Sequence, residues 1–413
     1  MLVENNPPAG ASAPEKSDSS SLRQWLSVGA VAIGAFAFVT TEFLPVGLLP
    51  HVAKELDVLP GTAGLMVTTP GVIAAFSAPG LMLGAGRMDR RHVFLLLTAL
   101  LLASNLLSAF APNFAVMLVG RALLGAALGG FWTLATAAAG RLVQPKDAAK
   151  ATAMILTGVT CATVIGVPLG TFIAGFSSWR FSFMATGVLV AIALVAQLLL
   201  VPSLPSSAAL RFADLVELIR RPYARRSMLM VGLVFGAHFC SYTYITPFLL
   251  HNASFGMPTI TWLLLGFGVI GFFSNFAVSS TVSRSLKGSV AAMVSLMMFA
   301  LLSMPLLRHS QLAVTVDVFA WGISFGALPL CFSVWIQRAT PDLPEAGSAL
   351  FVSIIQVAIA VGSLVGGTIV DSVGIPPDFL LGSALALLGL AALASFGRST
   401  VAKADCDCLA TPE

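Results

Sequence analysis

Residues 26–49 read LSVGAVAIGAFAFVTTEFLPVGLL, a run in which Glu42 is the only ionisable side chain. About 20 apolar residues, rising about 1.5 Å each, carry an α-helix across the hydrocarbon core of a bilayer. This run is long enough to do so. It is also continuously apolar, whereas a membrane β-barrel is built of strands of about 10 residues that alternate in polarity. Eleven similar runs follow, at 62–86, 93–111, 114–140, 151–176, 181–201, 227–250, 259–283, 288–307, 312–336, 347–370 and 379–397. The expected fold class is all-α, a polytopic membrane protein of twelve transmembrane helices.

Composition agrees with this reading. Of 413 residues, 57% are hydrophobic and 10% charged, and the mean hydropathy is +0.93. Soluble domains carry roughly 25% charged residues. So few charges cannot cover a water-facing surface, which excludes a soluble enzyme, a nucleic-acid binder and a disulfide-stapled secreted domain. Residues 1–22 are rich in Pro, Ser, Asn and Ala and read as a disordered tail without a cleavable signal peptide. Cys161, Cys240 and Cys331 lie in apolar runs, and Cys406 and Cys408 in the C-terminal tail. They define no metal site, and no cofactor is expected. There is no phosphate-binding P-loop to couple ATP, and no hydrolase signature.

Placing the charges on the spans orients the chain. With the N-terminus inside, 18 of the 22 Lys and Arg residues fall in the tails and inward loops. Lys54, Arg180 and Arg308 fall outward, and Arg121 lies within a span. The positive-inside rule then makes both termini cytoplasmic. The basic loop 202–226 divides the chain into six-helix halves at 23–201 and 227–397, followed by a cytoplasmic tail at 398–413. The halves look related. A shift of 197 carries Pro50 onto Pro247, Arg87 onto Arg284, Gly125 onto Gly322, Gly129 onto Gly326 and Arg141 onto Arg338. A shift of 196 carries Gly166 onto Gly362 and Gly170 onto Gly366. Two homologous six-helix halves with a site between them near the midplane form the architecture of a secondary transporter.

Ionisable groups inside a membrane normally face a cavity or a partner. Glu42 and Asp317 are the acidic residues well inside spans, Arg121 the basic one, and His238 the histidine. Glu42 and Arg121 each lie seven residues from the outer end of their span, at a shared depth of roughly 10 Å. The two could meet as a proton switch or as a static pair. Pro45 and Pro50 are expected to interrupt the helix just beyond. Asp317 is an outer-gate or proton-path candidate, or a headgroup residue. His238, read as one residue short of Phe239 (the counterpart of Glu42), suits proton coupling or hydrogen-bonded packing. Thr41, Tyr242, Tyr244, Asn275 and Gln356 offer hydrogen bonds to a solute or between helices. Trp132 and Trp335 offer ring stacking or packing. In span 5, Gly158, Gly166, Pro168 and Gly170 make either a tightly packed face or a seam along which the halves slide.

These residues resemble those of the bacterial major facilitator superfamily, in its twelve-span drug:proton antiporter group. The likeness is greatest to the branch of sugar-efflux and purine-ribonucleoside-efflux permeases. The similar stretches are TTEFLPVGLLP (40–50), GRMDRR (86–91), RALLG (121–125), Trp179-Arg180, Trp321-Gly322 and WIQRATPD (335–342), with the span-5 glycines and Pro168 resembling the antiporter motif. The resemblance implies two pseudo-symmetric six-helix bundles in a bacterial inner membrane, a monomer by default. It implies proton-coupled export of a small solute (sugar, purine nucleoside or drug-like molecule) by alternating access. A proton-linked uptake symporter and a non-transporting membrane sensor are the alternatives. Arg87, Asp89, Arg90 and Arg91 fall in the family's inner gating loop, usually Gly-x-x-x-Asp-Arg-x-Gly-Arg-Arg. Here Asp89 stands at the usual glycine and Gly86 at the usual aspartate, so the latch is either lost or supplied by Asp89.

Overall fold

The computed structural model describes residues 21–84, 88–204 and 212–396. Among the described residues every regular element is helical. Twelve principal helices follow one another: α1 (Leu22–Glu55), α2 (Leu65–Gly84), α3 (Arg90–Ala109), α4 (Phe114–Leu142), α5 (Ala148–Phe176) and α6 (Trp179–Leu200) in the first half. The second half has α7 (Pro222–Tyr242), α8 (Met257–Val282), α9 (Leu286–Leu306), α10 (Gln311–Ala339), α11 (Pro344–Ser372) and α12 (Ile375–Ala394). Ten of these are individually long and apolar enough to cross a membrane. An eleventh crossing is α7 together with Ile245–Asn252, bent against it by 43°. The remaining expected span, 62–86, corresponds to the 20-residue α2.

Side chains at the starts of the helices satisfy orphan backbone donors, as short polar residues do at N-caps. Ser21 and Gln24 form a reciprocal capping box on α1. Asn113, Ser178, Ser285 and Ser310 cap α4, α6, α9 and α10. Around the outside, large apolar side chains such as Phe176, Leu199, Phe273, Phe299 and Leu312 are exposed. A continuous apolar exterior of this kind is what a lipid-facing surface requires.

The expected interruption of the first span does not occur: α1 runs unbroken through Pro45 and Pro50. The break falls instead in the second half, after Tyr242, where Pro247 lies in the short helix beyond the bend. A proline lacks the N–H that would bond the carbonyl four residues earlier. At that carbonyl's residue, Thr243, the hydroxyl instead donates back to Phe239 O at 2.7 Å.

Glycine contacts repeat between the halves. A Cβ on Gly125 of α4 would stand 2.5 Å from Pro70 O of α2, and one on Gly322 of α10 would stand 2.8 Å from Phe267 O of α8. Both members of that pair are related by the 197-residue shift. On α5, Gly166 and Gly170 meet Thr40 and Leu44 of α1; on α11, Gly362 and Gly366 meet Gly236 and Cys240 of α7. Those pairs are related by 196. Equivalent close approaches therefore build both halves, with a register one residue shorter for the α1–α5 pair and its α7–α11 counterpart. Glu42 then maps onto His238, not onto Phe239.

The cross-half contacts gather at the end remote from the basic loops. Asp371, near the end of α11, accepts from Gly61 N at 2.6 Å, Thr62 N at 2.7 Å and Thr62 Oγ1 at 2.9 Å. Tyr244 OH donates to Ser363 O at 2.8 Å and reaches Gly61 O at 3.3 Å. A Cβ on Gly61 would stand 2.0 Å from Gly367 O, so only glycine admits this approach. Thr261 Oγ1 of α8 donates to Thr171 Oγ1 of α5 at 3.1 Å.

Candidate functional site

Beneath this closure, α1, α5, α7, α8 and α10 enclose a cavity of about 200 Å³. Phe43, Phe239, Phe267, Phe272 and Phe325 make its wall largely aromatic, with Thr160, Thr163, His238, Tyr242 and Asn275 as the polar groups. A mostly apolar wall with a few placed polar groups is the usual make-up of a small-molecule site.

His238 is held firmly. Trp321 Nε1 donates to its Nδ1 at 3.1 Å. Its ring stacks on Phe325 with centroids 3.3 Å apart and planes within 2°, and on Tyr242 at 4.8 Å. Indole N–H can only donate, so a neutral His238 accepting at Nδ1 carries its proton on Nε2. That nitrogen is buried and has no partner among the described residues. The arrangement presents one N–H donor in an aromatic setting. Asn275 Nδ2 donates to Gly326 O at 3.2 Å, tying α8 to α10 beside it.

Glu42 and Arg121 do meet, though not as an ion pair. The Arg121 guanidinium is completely buried and donates from Nε to Met66 O at 2.7 Å, from Nη1 to Thr41 O at 2.8 Å and from Nη2 to Glu42 O at 2.8 Å. The helical donors for Met66 O and Thr41 O would be residues 70 and 45, and both are proline. Arg121 fills the two vacancies and so stitches α4 to α1 and α2. The Glu42 carboxylate instead accepts from Gln356 Nε2 of α11, in the other half, at 3.3 Å.

The other expected residues divide into several groups. Thr41 turns inward within its own half, donating to Ala37 O and accepting from Asn105 Nδ2. Tyr244, reaching Gly61 O, and Gln356, bonding Glu42, sit at cross-half contacts. Trp335 is buried and donates to Ser227 Oγ at 3.0 Å, and Trp132 packs edge-on against Phe131. Neither lines the cavity. Asp317 accepts from Ser303 of α9 and is not brought to Glu42 or Arg121. Gly158, Gly166 and Gly170 face α1 of their own half. The cross-half approach on α5 comes instead at Val164, 2.7 Å from where a Cβ on Gly268 would stand. Pro168 lies within an uninterrupted α5 and its carbonyl accepts from Thr171.

In the inner loop, Arg87 lies outside the described residues. Asp89 caps α3 by accepting from Arg91 N, and it binds the segment after α6 through Ser203 Oγ and Leu204 N. The Ser203 hydroxyl, helped by the backbone N–H groups of Leu204 and Arg91, holds its carboxyl down at about 2. Arg90 N donates to Leu204 O, and Arg91 Nη2 to Leu198 O at 2.7 Å. These partners belong to the first half and the start of the loop that follows it, and none to the second half.

Two further acidic residues, Asp371 and Asp378, lie at span ends, where sequence position alone does not single them out. Asp371 makes the cross-half closure at the end remote from the basic loops. Asp378, in the first turn of α12, is fully buried, and its Oδ1 accepts from Cys240 Sγ at 2.8 Å. No periodic signal marks either one; only the approach of the Gly61–Thr62 segment to α11 and of α7 to α12 gives them partners.

A family model described as Major Facilitator Superfamily matches residues 31–360. The chain is 32% identical over 385 residues to the purine ribonucleoside efflux pump NepI of Salmonella paratyphi B (strain ATCC BAA-1250 / SPB7), covering 93% of this chain and 97% of that one. It is 32% identical over 371 residues to the protein of the same name from Escherichia coli (strain K12), covering 90% and 94%. Among solved structures, the human organic anion transporter MFSD10 (TETRAN) aligns with a TM-score of 0.65 at 17% identity, over 90% of this chain and 99% of that one.

Proposed function

The chain belongs to the Major Facilitator Superfamily and is a membrane transporter, and from that premise we propose that it exports a purine ribonucleoside in exchange for protons. One observation carries the coupling. Glu42, an intramembrane carboxyl, has as its side-chain partner a residue of the opposite half, Gln356. Its protonation is thereby tied to how the halves meet. The bulk of Lys and Arg in the inward loops supports a bacterial inner-membrane orientation with both termini cytoplasmic. The closure at Asp371 then seals the outer face, and the cavity serves the cytoplasmic side.

The solute binds among the aromatic residues of the cavity, where a planar base has ring faces to stack on and a ribose or base acceptor meets the Nε2–H of His238. Arg121 is a positioning residue. It fixes the backbone at Glu42 and keeps a permanent positive charge near it. A proton arriving from outside neutralises Glu42, the solute leaves, and the protonated carboxyl is buried again as the outer face closes. Proton loss to the cytoplasmic cavity resets the cycle. Tyr244 and Gln356 serve the closure, while Tyr242, Asn275 and His238 serve the solute.

The test is transport of labelled inosine and guanosine in everted vesicles energised with an acid interior. Accumulation is expected in wild type, with an affinity about tenfold weaker in His238→Phe, the loss of one hydrogen bond in a buried site. Solute leaving the vesicles together with protons would instead establish an uptake symporter. Indifference to every purine nucleoside would overturn the substrate assignment.

A further inference from the structure

The side of α7 turned away from the solute cavity bears a second concavity. Nine residues at about 100° each put Leu229 on the opposite side of the helix from His238. Toward the outer face α7 and α11 touch through glycine: a Cβ on Gly362 would stand 2.7 Å from Gly236 O. Toward the basic face the two helices part. A crevice of about 390 Å³ opens between Leu229, Gly232 and Leu233 on one side and Ile354, Val357 and Val361 on the other. Leu229 is 60% exposed and Val361 53%, so the crevice opens outward on the lipid side.

Its lining is hydrocarbon apart from one side chain, Arg225, at the end nearest the basic loops. Along α11 the lining runs from Leu350 to Val361, about 16 Å of helix, or half the roughly 30 Å hydrocarbon core. The mouth is strongly basic. Arg221 is engaged by Glu217 and Asp342, but Arg220, Arg225 and Arg226 are exposed and have no carboxylate within 4.0 Å among the described residues. A short helix, Phe212–Arg220, roofs this end. Its Leu218 is buried against Met228 and Leu350, and its Ile219 lines the crevice. An apolar channel one leaflet deep, with unpaired guanidinium at headgroup level, matches the two parts of a lipid.

We propose that this crevice binds an anionic glycerophospholipid from the leaflet at the basic face, with an acyl chain between α7 and α11 and the phosphate on Arg225. Basic residues near an anionic membrane surface each contribute about 1 kcal/mol, so the charge gives the site its headgroup preference. The chain would rest on Ile354 and Val357, which flank Gln356, the residue that reaches Glu42. Lipid occupancy would thereby support α11 from behind the cross-half contact. The site depends on the protein's being embedded in a membrane and not on the identity of the solute.

The full-length protein in mild detergent, titrated with phosphatidylglycerol and phosphatidylcholine of matched chains and read by native mass spectrometry, tests the proposal. Wild type is expected to retain one phosphatidylglycerol with about tenfold preference. Arg225→Gln should abolish the preference, and Val357→Trp, which fills the crevice from an exposed position, should lower occupancy by both lipids. Leu312→Trp, on another lipid-facing surface, should change neither, and all variants should unfold at the wild-type temperature. Wild-type preference in both crevice variants would overturn the site. Loss in Arg225→Gln alone would overturn the acyl-chain assignment, and displacement of the lipid by glycerol 3-phosphate would show that the site takes a free phosphate.

Discussion

Arg121 shows how a residue can be located in the sequence while its chemistry stays hidden. Its depth matched that of Glu42, and the two do come together. The bonds it makes, however, are to carbonyls whose donors Pro45 and Pro70 removed. Each proline vacancy is visible in the sequence; that α4 lies against both is a fact of packing. Arg121→Leu strips at least two buried carbonyls of a donor, at about 1–3 kcal/mol each. A marked fall in the thermal unfolding midpoint of the purified protein is expected. Glu42→Gln should leave the midpoint near that of wild type, because Arg121 holds the backbone of residue 42 and not its carboxylate. Equal destabilisation by the two variants would contradict this assignment.

At the scale of helices, the closure is the feature least visible beforehand. The internal repeat could be read from its glycines, and the same glycines do make the equivalent contacts in both halves. Both shifts, 197 and 196, could be read there too, but not which of them α1 follows, because only its packing against α5 shows that. That single residue moved the counterpart of Glu42 from Phe239 to His238. Asp371 stood at a span end with no pattern around it, yet it bonds two backbone N–H groups and a hydroxyl of the opposite half. Asp371→Ala should release the Gly61–Thr62 segment, just before α2, from α11. Spin labels at Leu59 and Val373, both well exposed at the closed end, should then show a new population at longer distance. An unchanged distance distribution would mean that Tyr244 and the glycine contacts close this face without Asp371.

For the whole molecule, scarcity of charge was the most informative property. It pointed to the all-helical membrane fold and, through the few charges left inside, narrowed the candidates for the mechanism to a few residues. The cavity itself was harder to foresee. Of the stacking candidates in the sequence, Trp132 and Trp335 pack elsewhere, and the wall is made largely by phenylalanines, of which Phe43 alone lies in one of the family-like stretches. The central claim is that Glu42 carries the proton that drives solute movement. Its most direct test is solute flux in proteoliposomes after an imposed pH jump, comparing wild type with Glu42→Gln. Wild type should move a labelled purine ribonucleoside against the proton flow. Glu42→Gln should still exchange solute for solute but give no response to the pH jump. A Glu42→Gln protein that accumulates solute against its gradient with the wild-type pH dependence would contradict it.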